Sequence, residues 1–572
     1  MRRCLAGLLA LCLTVVWTPS FAGGTTAPTP APTAYSISSP LPAGLGWNSA
    51  IYTPIISYTQ DPIAPQGSVG ISAKGLFGDA SAACTSPAVL YYTASNGSDS
   101  NNGLTSGAPF ATLGKAAAAA TAGAFASFED IVAPGTYPRS GTFSTGAIAA
   151  DGCYMANGGR VFTGDFDLYA APGASGSHSY LITTTSSVQT ALDLAHTDQF
   201  GNYIQCTPGA SAAQVDADAG QYCSYFFLPG TGLYVHRADG LAVTNANTMM
   251  LRTSSSVVKL TNCINLYIGG VDAASGFDMY GGGNAPVQAV PATACASEHA
   301  VVLENDTLNN AGTPPGGGNT LGDGNGLSVI AWKGIVACFN CSSHGNTDDC
   351  FNNHDQFFGE NVHPYMLIVN SFCGPTGFGG VSDNCFTGHE DTVSLAVGLI
   401  CWGNHGGTIR FINSAKYMAV GGSVHFDFGD LIYGGAEPCT AIESDNLATG
   451  WIDNVRIDEP GACRTIATAV GLVGAPTLNA GGSGYAAGDA LVLANGAAIV
   501  VNSVSSGAIV TFVQTEQPTT QPSNPVGQSS TTGAGAGATF NYSYTNQAAV
   551  VNYRNMTPFR AAPSGGGVAQ TY

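Results

Sequence analysis

Positive charge is scarce in this chain. Its 572 residues include 16 lysines and arginines against 36 aspartates and glutamates, for a formal net charge of −20. Nucleic acids and anionic membrane surfaces are bound through basic patches, so neither is an expected partner. A polyanionic ligand would require a bridging cation or one of the few arginines.

A long apolar run occurs only at the start of the sequence. Two arginines precede an apolar stretch from Cys4 to Trp17, and small residues lead to Ala22. This pattern is typical of a secretory signal peptide, and the stretch is shorter than the ~18 residues expected of a membrane span. We therefore expect residues 1–22 to be removed and the remainder to be secreted, into the extracellular space or the periplasm, with 14 basic and 36 acidic residues.

Amphipathic helical patterns are also nearly absent. Only residues 110–121 have the pattern of a helix, whereas the chain contains 76 glycines and many short apolar runs. This composition predicts an all-β protein, large enough for one long domain with appendages.

The cysteines predict disulfides. Fourteen cysteines follow the predicted signal peptide, and an even number in an exported chain indicates up to seven disulfides. Cys338 and Cys341 have the C-x-x-C spacing found in zinc and redox sites, but no second pair lies at zinc-ligand spacing. Disulfides or buried thiols are therefore favoured over a metal.

Apolar strands that end in asparagine recur through the middle of the chain. They lie at intervals of 43, 35, 30, 43 and 41 residues and end at Asn262, Asn305, Asn340, Asn370, Asn413 and Asn454. Asparagine tolerates the left-handed backbone of a tight corner, and its amide can bond an asparagine stacked in the next coil. The pattern favours a solenoid, with chance recurrence of asparagine as the alternative.

From Leu90 the sequence runs LYYTASNGSDSNNGLTSGAPFATLGKAAAAATAG and continues with EDIVAPGTY. This stretch resembles the start of right-handed parallel β-helix proteins of the pectate-lyase-like superfamily, in which a helix caps the end of the solenoid. The resemblance contains no catalytic residue. It implies a right-handed, single-stranded parallel β-helix over residues 86–474 with an N-terminal capping helix, after a linker and N-terminal segment at 23–85.

Residues 475–545 are almost uncharged and contain GSGYAAGDAL and TTGAGAGATF. They resemble small β-modules of phage tail and tail-like proteins. The resemblance implies a small C-terminal β-module with a structural or adhesive role, followed by a tail at 546–572.

A histidine-rich stretch contains an internal repeat. DDCFNNHD at 348–355 aligns with DNCFTGHE at 383–390, offset by 35 residues throughout. If equivalent residues stack in consecutive coils, His354 and His389 form a ladder that His425, 36 residues further on, would extend. The same stacking would bring Cys350 and Cys385 within disulfide range.

Stacked carboxylates would supply the chemistry of glycoside hydrolysis. The repeat places Asp348 over Asp383 and Asp355 over Glu390. Two carboxylates that close cannot both ionise freely, so one pKa rises and an acid–base pair results. The candidate catalytic residues are Asp348, Asp349, Asp383, His354, His389 and Glu390, and the candidate substrate-binding residues are Asp355, Arg410, Trp402, His405 and His425. Repetition of the coil alone also explains stacked residues, so a structural role stays open.

The same stretch partly resembles the polygalacturonase motifs N-T-D, D-D, G-H-G and R-I-K. Residues 346–348 and 348–349 match the first two motifs but overlap, and Gly388-His389-Glu390 matches two positions of the third. Asp458 stands where the last motif has lysine. The resemblance implies polysaccharide chemistry without assigning a complete site.

Two functions remain open. The first is a polysaccharide-degrading enzyme, a hydrolase in preference to a lyase because Arg410 and Lys416 are the only basic candidates for a lyase in this region. The second is a non-catalytic adhesin, glycan-binding spike or matrix protein, with a homotrimer as one option. No cofactor is required, although clustered Asp, Glu and Asn oxygens would suit calcium.

Overall fold

Three long parallel sheets, called sheets 1, 2 and 3, dominate the structure. It is a computed structural model that describes residues 36–59, 66–139, 143, 148–184, 187–198, 201–252, 256–312, 324–355, 364–376, 384–404, 407–425, 440–444, 447–458, 464–468, 470–472, 476–495, 497–516, 524–542, 544–548, 550–554, 564–565 and 568–571. From residue 266 to residue 468, each coil adds one strand to sheet 1, then to sheet 2, then to sheet 3. The predicted parallel β-helix is therefore confirmed.

The strands of the three sheets follow in spatial order. Sheet 1 contains Val89–Thr93, Ser127–Val132, Asp151–Ala156, Leu266–Gly270, His299–Glu304, Gly334–Phe339, Pro364–Val369, Val393–Val397, Lys416–Val420, Thr449–Asp453, Val550–Arg554 and Val568–Thr571. Sheet 2 contains Gly135–Tyr137, Arg160–Gly164, Gly276–Tyr280, Thr307–Asn309, Ser342–His344, Phe372–Cys373, Ile400–Trp402, Ser423–His425 and Arg456–Asp458. Sheet 3 contains Val258–Leu260, Val287–Ala289, Leu327–Ile330, Phe351–His354, Phe386–Gly388, Gly407–Phe411, Thr440–Ser444, Arg464–Thr468 and Ser564–Gly565.

Asparagine turns the corner after sheet 1. Five of the six predicted positions have the left-handed backbone, with φ between 47° and 61°: Asn305, Asn340, Asn370, Asn413 and Asn454. The Asn340 side-chain amide donates to Asn305 Oδ1 at 3.2 Å, as stacking requires. Asn262 was grouped with them wrongly, because it follows a strand of sheet 3.

Aligned apolar rows fill the interior of the solenoid. One row on sheet 1 runs in register through Ile268, Leu303, Cys338, Ile368 and Ala396, all at most 1% exposed. Fully burying one large apolar side chain contributes about 1.5–3 kcal/mol, so such rows stabilise every coil against its neighbours. Cys338 and Cys341 are free, buried thiols in this core.

Five disulfides occur among the described residues: Cys84–Cys153, Cys206–Cys223, Cys263–Cys295, Cys350–Cys373 and Cys385–Cys401. The predicted proximity of Cys350 to Cys385 does not produce a bond between them. Side chains at equivalent positions of parallel strands point the same way, so each cysteine bonds across the interior to sheet 2 instead. The disulfides are compatible with an exported protein.

Two helices cover the solenoid. Helix Leu113–Ala122 buries Leu113, Ala116, Ala117 and Ala120 in the solenoid core, at the end where the capping helix was predicted. Helix Ala73–Ala80 begins after Ser72, whose hydroxyl accepts the N–H of Gly75. It packs against the outer face of sheet 1 together with Leu45, Trp47, Ile56, Tyr58 and Val69. A 3-10 turn, Ala43–Leu45, and strands Ser36–Ser39, Ile56–Thr59 and Gly67–Ser68 complete this layer. No helix in the described ranges is long and apolar enough to cross a membrane.

Two smaller units interrupt the coils. The first contains helix Ala212–Ala217 and strands Gly173–Ala174, Tyr180–Thr183, Val188–Thr197, Tyr203–Gln205, Thr207–Pro208, Cys223–Leu228, Gly232–Arg237 and Thr248–Arg252. The second is a six-stranded antiparallel sheet of Thr477–Ser483, Ala490–Leu493, Ala498–Ser505, Ala508–Glu516, Val526–Thr531 and Ala536–Asn541. Val470–Leu472 pairs with Tyr544–Ala548 at its base.

The chain returns to the solenoid after the second unit. Val550–Arg554 pairs in parallel with Thr449–Asp453, and Val568–Thr571 pairs with Val550–Arg554. The β-module is thus inserted between coils, and strands Val550–Arg554, Ser564–Gly565 and Val568–Thr571 join the sheets of the solenoid in a region expected to be a separate tail.

A buried carboxyl in sheet 1 gives a pH prediction for stability. Burial raises the pKa of Asp130 to about 7, although Thr93 Oγ donates to it at 2.8 Å. A carboxyl whose pKa is raised by folding favours the folded state when it is protonated. Its contribution to the free energy of unfolding is complete below the unfolded pKa of ~3.9 and is lost as the pH rises through 7. Asp130→Asn should therefore remove up to about 4 kcal/mol of pH dependence between pH 4 and 8. Denaturant midpoints of the wild type and the variant at pH 4 and pH 8 measure the difference. An equal change of midpoint with pH in the two proteins would contradict the prediction.

Candidate functional site

The predicted repeat occupies two adjacent strands of sheet 3. Phe351 pairs with Phe386 and Asn353 with Gly388, which confirms the offset of 35 residues. Both phenylalanines face the core, so the alternation of a strand directs Asn352 and its neighbour Thr387 outward. Gly388 differs from its counterpart for a steric reason, since a Cβ there would lie 2.3 Å from the Phe411 ring.

His354 and His389 stack at the ends of these strands. Their ring centroids lie 3.8 Å apart and the rings are inclined by 18°. His354 is 3% exposed, and its Nδ1 lies 3.4 Å from Glu390 Oε2 without a hydrogen bond. Glu390 has a left-handed backbone, with φ of 53°, and its Oε2 accepts the N–H of Asp355 at 3.1 Å. The corner thus brings two imidazoles and two acidic residues together.

His425 does not continue this ladder. It lies in sheet 2, paired with Trp402, and its ring lies 4.9 Å from the indole. Its Nε2 is 2.7 Å from Ser423 Oγ. The predicted three-histidine ladder is wrong beyond His389, because the next coil is shorter and its strand of sheet 3 ends before the 36-residue interval is complete.

Asp355 is the carboxyl whose pKa the stacking perturbs most clearly. Burial raises its pKa to about 7, and the charges of Glu390 and Asp391 add to the effect. Burial, His354 and Arg410 together hold the pKa of His389 well below its ordinary range, so this imidazole is neutral. The corner therefore has a carboxyl poised near neutral pH beside an acidic partner.

Asp349, a predicted catalytic residue, is held in a hydrogen-bond network. It is 2% exposed, and its Oδ1 accepts the backbone N–H of Asn384 at 2.7 Å and the Asn384 amide at 2.8 Å. Its Oδ2 accepts the Asn352 amide at 2.7 Å. Burial raises the pKa of Asp349, while the Asn384 bonds oppose that rise. These contacts join consecutive coils.

The other predicted residues lie in different places. Asp348 is half-buried, and its N–H donates to the Gly324 carbonyl at 3.3 Å. Arg410 follows Thr387 in register on sheet 3, with its guanidinium 3.8 Å from Glu443. Asp383 and His405 lie outside the described residues, as does any stacking of Asp348 on Asp383. Arg410 shares sheet 3 with the histidine pair, while Trp402 and His425 lie on sheet 2.

Sequence reasoning missed two features of this face. Asp391 directly follows Glu390, is exposed and contributes to the electrostatics of Asp355. A polar row also runs in register along the outer face of sheet 3, through Gln288, Ser328, Asn352, Thr387, Arg410 and Glu443. In three of these strands, Val287–Ala289, Leu327–Ile330 and Phe386–Gly388, the signal was a single polar residue among apolar ones.

His354, His389 and Glu390 also bring ligand-type atoms within 4.8 Å of one another, and no second such group occurs among the described residues. Two imidazole nitrogens and one carboxylate oxygen do not suit calcium, which takes six to eight oxygen ligands. Ring stacking and the contact of Glu390 with Asp355 already account for the arrangement.

Comparisons with known proteins are sparse. No family model and no curated protein matches the chain. A solved structure described as "The complex structure of XylC with xylose" is 10% identical, with a TM-score of 0.32, over 65% of this chain and 70% of that chain. Another, described as "Glycoside hydrolase", is 9% identical, with a TM-score of 0.27, over 65% of this chain and 95% of that chain. Likeness at these TM-scores carries no argument, so the chemistry of the site has to indicate the function.

Proposed function

We propose that this protein is a secreted polysaccharide hydrolase whose acid–base pair is Asp355 and Glu390. The observation that carries the proposal is the corner of sheet 3, where Asp355 is held against Glu390 and Asp391 and has a pKa of about 7. Glycoside hydrolysis needs one protonated carboxyl at the leaving oxygen and one ionised carboxylate opposite it. A pKa near the working pH is what general acid catalysis requires.

Each residue at the corner has a defined role. Asp355 donates its proton to the glycosidic oxygen as the bond from that oxygen to the anomeric carbon breaks. Glu390 stabilises the positive charge on that carbon and removes a proton from the attacking water, whose hydroxyl completes the new sugar end. His354 lies against the Glu390 carboxylate, and the neutral ring of His389 fixes His354 by stacking. The left-handed backbone of Glu390 is uncommon for a residue with a side chain and is typical of functional corners.

Hydrolysis is favoured over elimination for a physical reason. A lyase needs a basic side chain to remove the proton next to a uronate group, and Arg410, in register with Thr387, is the basic residue on the strand beside the repeat. Its guanidinium lies 3.8 Å from Glu443, which favours the charged form over the neutral base that elimination requires.

An activity assay tests the proposal. The purified chain should release reducing ends from at least one of a panel of neutral, amino-sugar and uronate polysaccharides. Because Asp355 has to be protonated, the rate should fall as the pH rises through about 7. Treatment with EDTA should leave the rate unchanged.

Two outcomes would overturn the proposal. Tight binding of a glycan without release of reducing ends would indicate the adhesin or spike function instead. Loss of activity in EDTA with recovery in zinc would assign His354, His389 and Glu390 to a metal and not to acid–base chemistry.

A further inference from the structure

We infer that the protein has a further glycan-binding surface outside the corner of sheet 3. It is the outer face of a five-stranded sheet in the first of the two smaller units, and it holds a neutral polysaccharide chain on Phe226, Tyr234 and Leu181. These three side chains are called the aromatic face. The inference does not depend on the roles proposed for Asp355 and Glu390, because a hydrolase and a glycan-binding spike would both use such a surface.

A separate core supports this sheet from its inner side. The strands are, in spatial order, Thr207–Pro208, Cys223–Leu228, Gly232–Arg237, Tyr180–Thr183 and Gly173–Ala174. Tyr225 and Val235 point inward into a buried cluster that belongs to this unit alone. Arg237 also points inward, and its guanidinium lies 2.9 Å from Asp193, with both side chains fully buried. A sheet held in this way presents its outer side chains without reorganisation, which lowers the entropy cost of binding.

The alternation of the strands directs the aromatic face outward. Phe226 and Leu181 lie directly opposite Tyr234, one on each neighbouring strand, so the three side chains form a row across the sheet. All three are partly exposed, and none of them belongs to a buried apolar cluster of the described residues. The ring centroids of Phe226 and Tyr234 lie 6.4 Å apart, with the rings inclined by 37°. The row therefore exposes two neighbouring aromatic rings and one aliphatic side chain.

Charged residues are absent from the outward positions around this row. The other outward positions of the three central strands hold no aspartate, glutamate, lysine or arginine: they are Ser224, Leu228, Gly232, His236 and Thr183. The chain as a whole has a formal net charge of −20. A polyanion would be repelled by that charge and would find no cation on the aromatic face, whereas a neutral polymer meets neither obstacle.

The size of the aromatic face suits sugar rings and not a protein. Helix Ala212–Ala217 borders the row at one end, where His236 Nδ1 donates to the Val215 carbonyl at 2.8 Å. Three side chains on strands ~4.8 Å apart span about 10 Å, whereas each partner in a stable protein interface buries about 800 Å². A second copy of this chain would also bring its own charge of −20. A neutral sugar offers C–H groups that pack on an aromatic ring and hydroxyls that can bond the Tyr234 hydroxyl.

Binding of insoluble polysaccharides by the full chain tests the inference. Cellulose, mannan and chitin are the neutral probes, and insoluble polygalacturonate is the anionic one. At least one neutral polymer should bind, with an affinity that salt leaves unchanged, and polygalacturonate should not bind to the aromatic face. Tyr234→Ala should weaken the binding about three- to tenfold, as expected for the loss of one aromatic contact. Phe125→Ala removes an aromatic ring that is 39% exposed elsewhere on the surface and should leave the binding unaltered.

Hydrogen exchange of the wild type gives a second measurement that does not depend on the folding of a variant. Oligosaccharides of the bound polymer should slow exchange in peptides that cover residues 223–237. Protection confined to residues 351–390 would overturn the inference while hydrolysis stands. Equal binding by Tyr234→Ala and the wild type, or binding of no neutral polymer, would overturn it as well. Self-association that Tyr234→Ala abolishes would assign the aromatic face to a second copy of the chain instead.

Discussion

Replacing Asp355 by asparagine should lower kcat for glycan hydrolysis by about 10²–10⁴-fold, the range expected when a general acid is removed. Asparagine retains the shape and the backbone N–H that Glu390 accepts, but it has no proton to give the leaving oxygen. The unfolding midpoint should stay constant or rise slightly, because the variant removes a carboxyl that Glu390 and Asp391 repel. Initial rates and a thermal melt measure both effects.

The pH profile distinguishes a catalytic Asp355 from one that only shapes the corner. In Asp355→Asn the fall in rate above about pH 7 should disappear together with most of the activity. Asp355→Glu should recover part of the rate, because glutamate restores a carboxyl group on a side chain that is one methylene longer. Asp79→Asn is the control, with the wild-type rate and profile. An Asp355→Asn variant that keeps the wild-type rate would remove this residue from the mechanism.

The regular features of the fold were readable because each has a local cause. A left-handed corner favours asparagine, so five corners could be predicted from the positions of asparagine. The alanine-rich helix before the first coils likewise predicted the cap. Which sheet a strand joins depends instead on the length of each coil. The step from Phe351 to Phe386 is 35 residues, but the next, from Phe386 to Ile409, is 23. The residue that follows His389 in the stack is therefore at position 412, and His425 falls on sheet 2.

Non-local pairing was beyond the reach of local patterns. Strand Val550–Arg554 pairs with Thr449–Asp453, although the whole inserted module separates the two in the sequence. The residues of Val550–Arg554 do not indicate which strand it pairs with. The same limit applies to the unit at 173–252. Its strands pair mainly antiparallel, although the unit is inserted between coils of a parallel solenoid.

In the proposed mechanism Asp355, predicted to bind substrate, is the acid, and Asp349, predicted to be catalytic, has a structural role. Asp349 and Asp355 are both acidic members of one repeat, and residue type alone does not rank them. Their surroundings do, because Asp349 is enclosed by amide donors from two coils while Asp355 faces carboxylates. Asn384 lies 35 residues beyond Asp349 and Glu390 lies 35 residues beyond Asp355, so ranking the two aspartates required the register of sheet 3 as well as the motif.

Asp349→Ala should therefore unfold the protein more readily and do little specific harm to catalysis. The substitution removes the acceptor of three hydrogen bonds, from the backbone N–H and side-chain amide of Asn384 and from the side-chain amide of Asn352, which keeps only its bond to Asn325 Oδ1 at 3.3 Å. Each buried unsatisfied group costs about 1–3 kcal/mol, so we expect a loss of about 5 kcal/mol in the free energy of unfolding. Denaturant unfolding measures it.

Asp349→Asn is the matched variant for this prediction. It keeps one carbonyl oxygen for the two bonds from Asn384 but turns an amide toward the amide of Asn352, so about 2 kcal/mol should be lost. The folded fraction of either variant should retain the wild-type kcat at temperatures below its midpoint. Full stability with abolished activity in Asp349→Ala would show that Asp349 is a catalytic residue. The role proposed for Asp355 would then need another explanation.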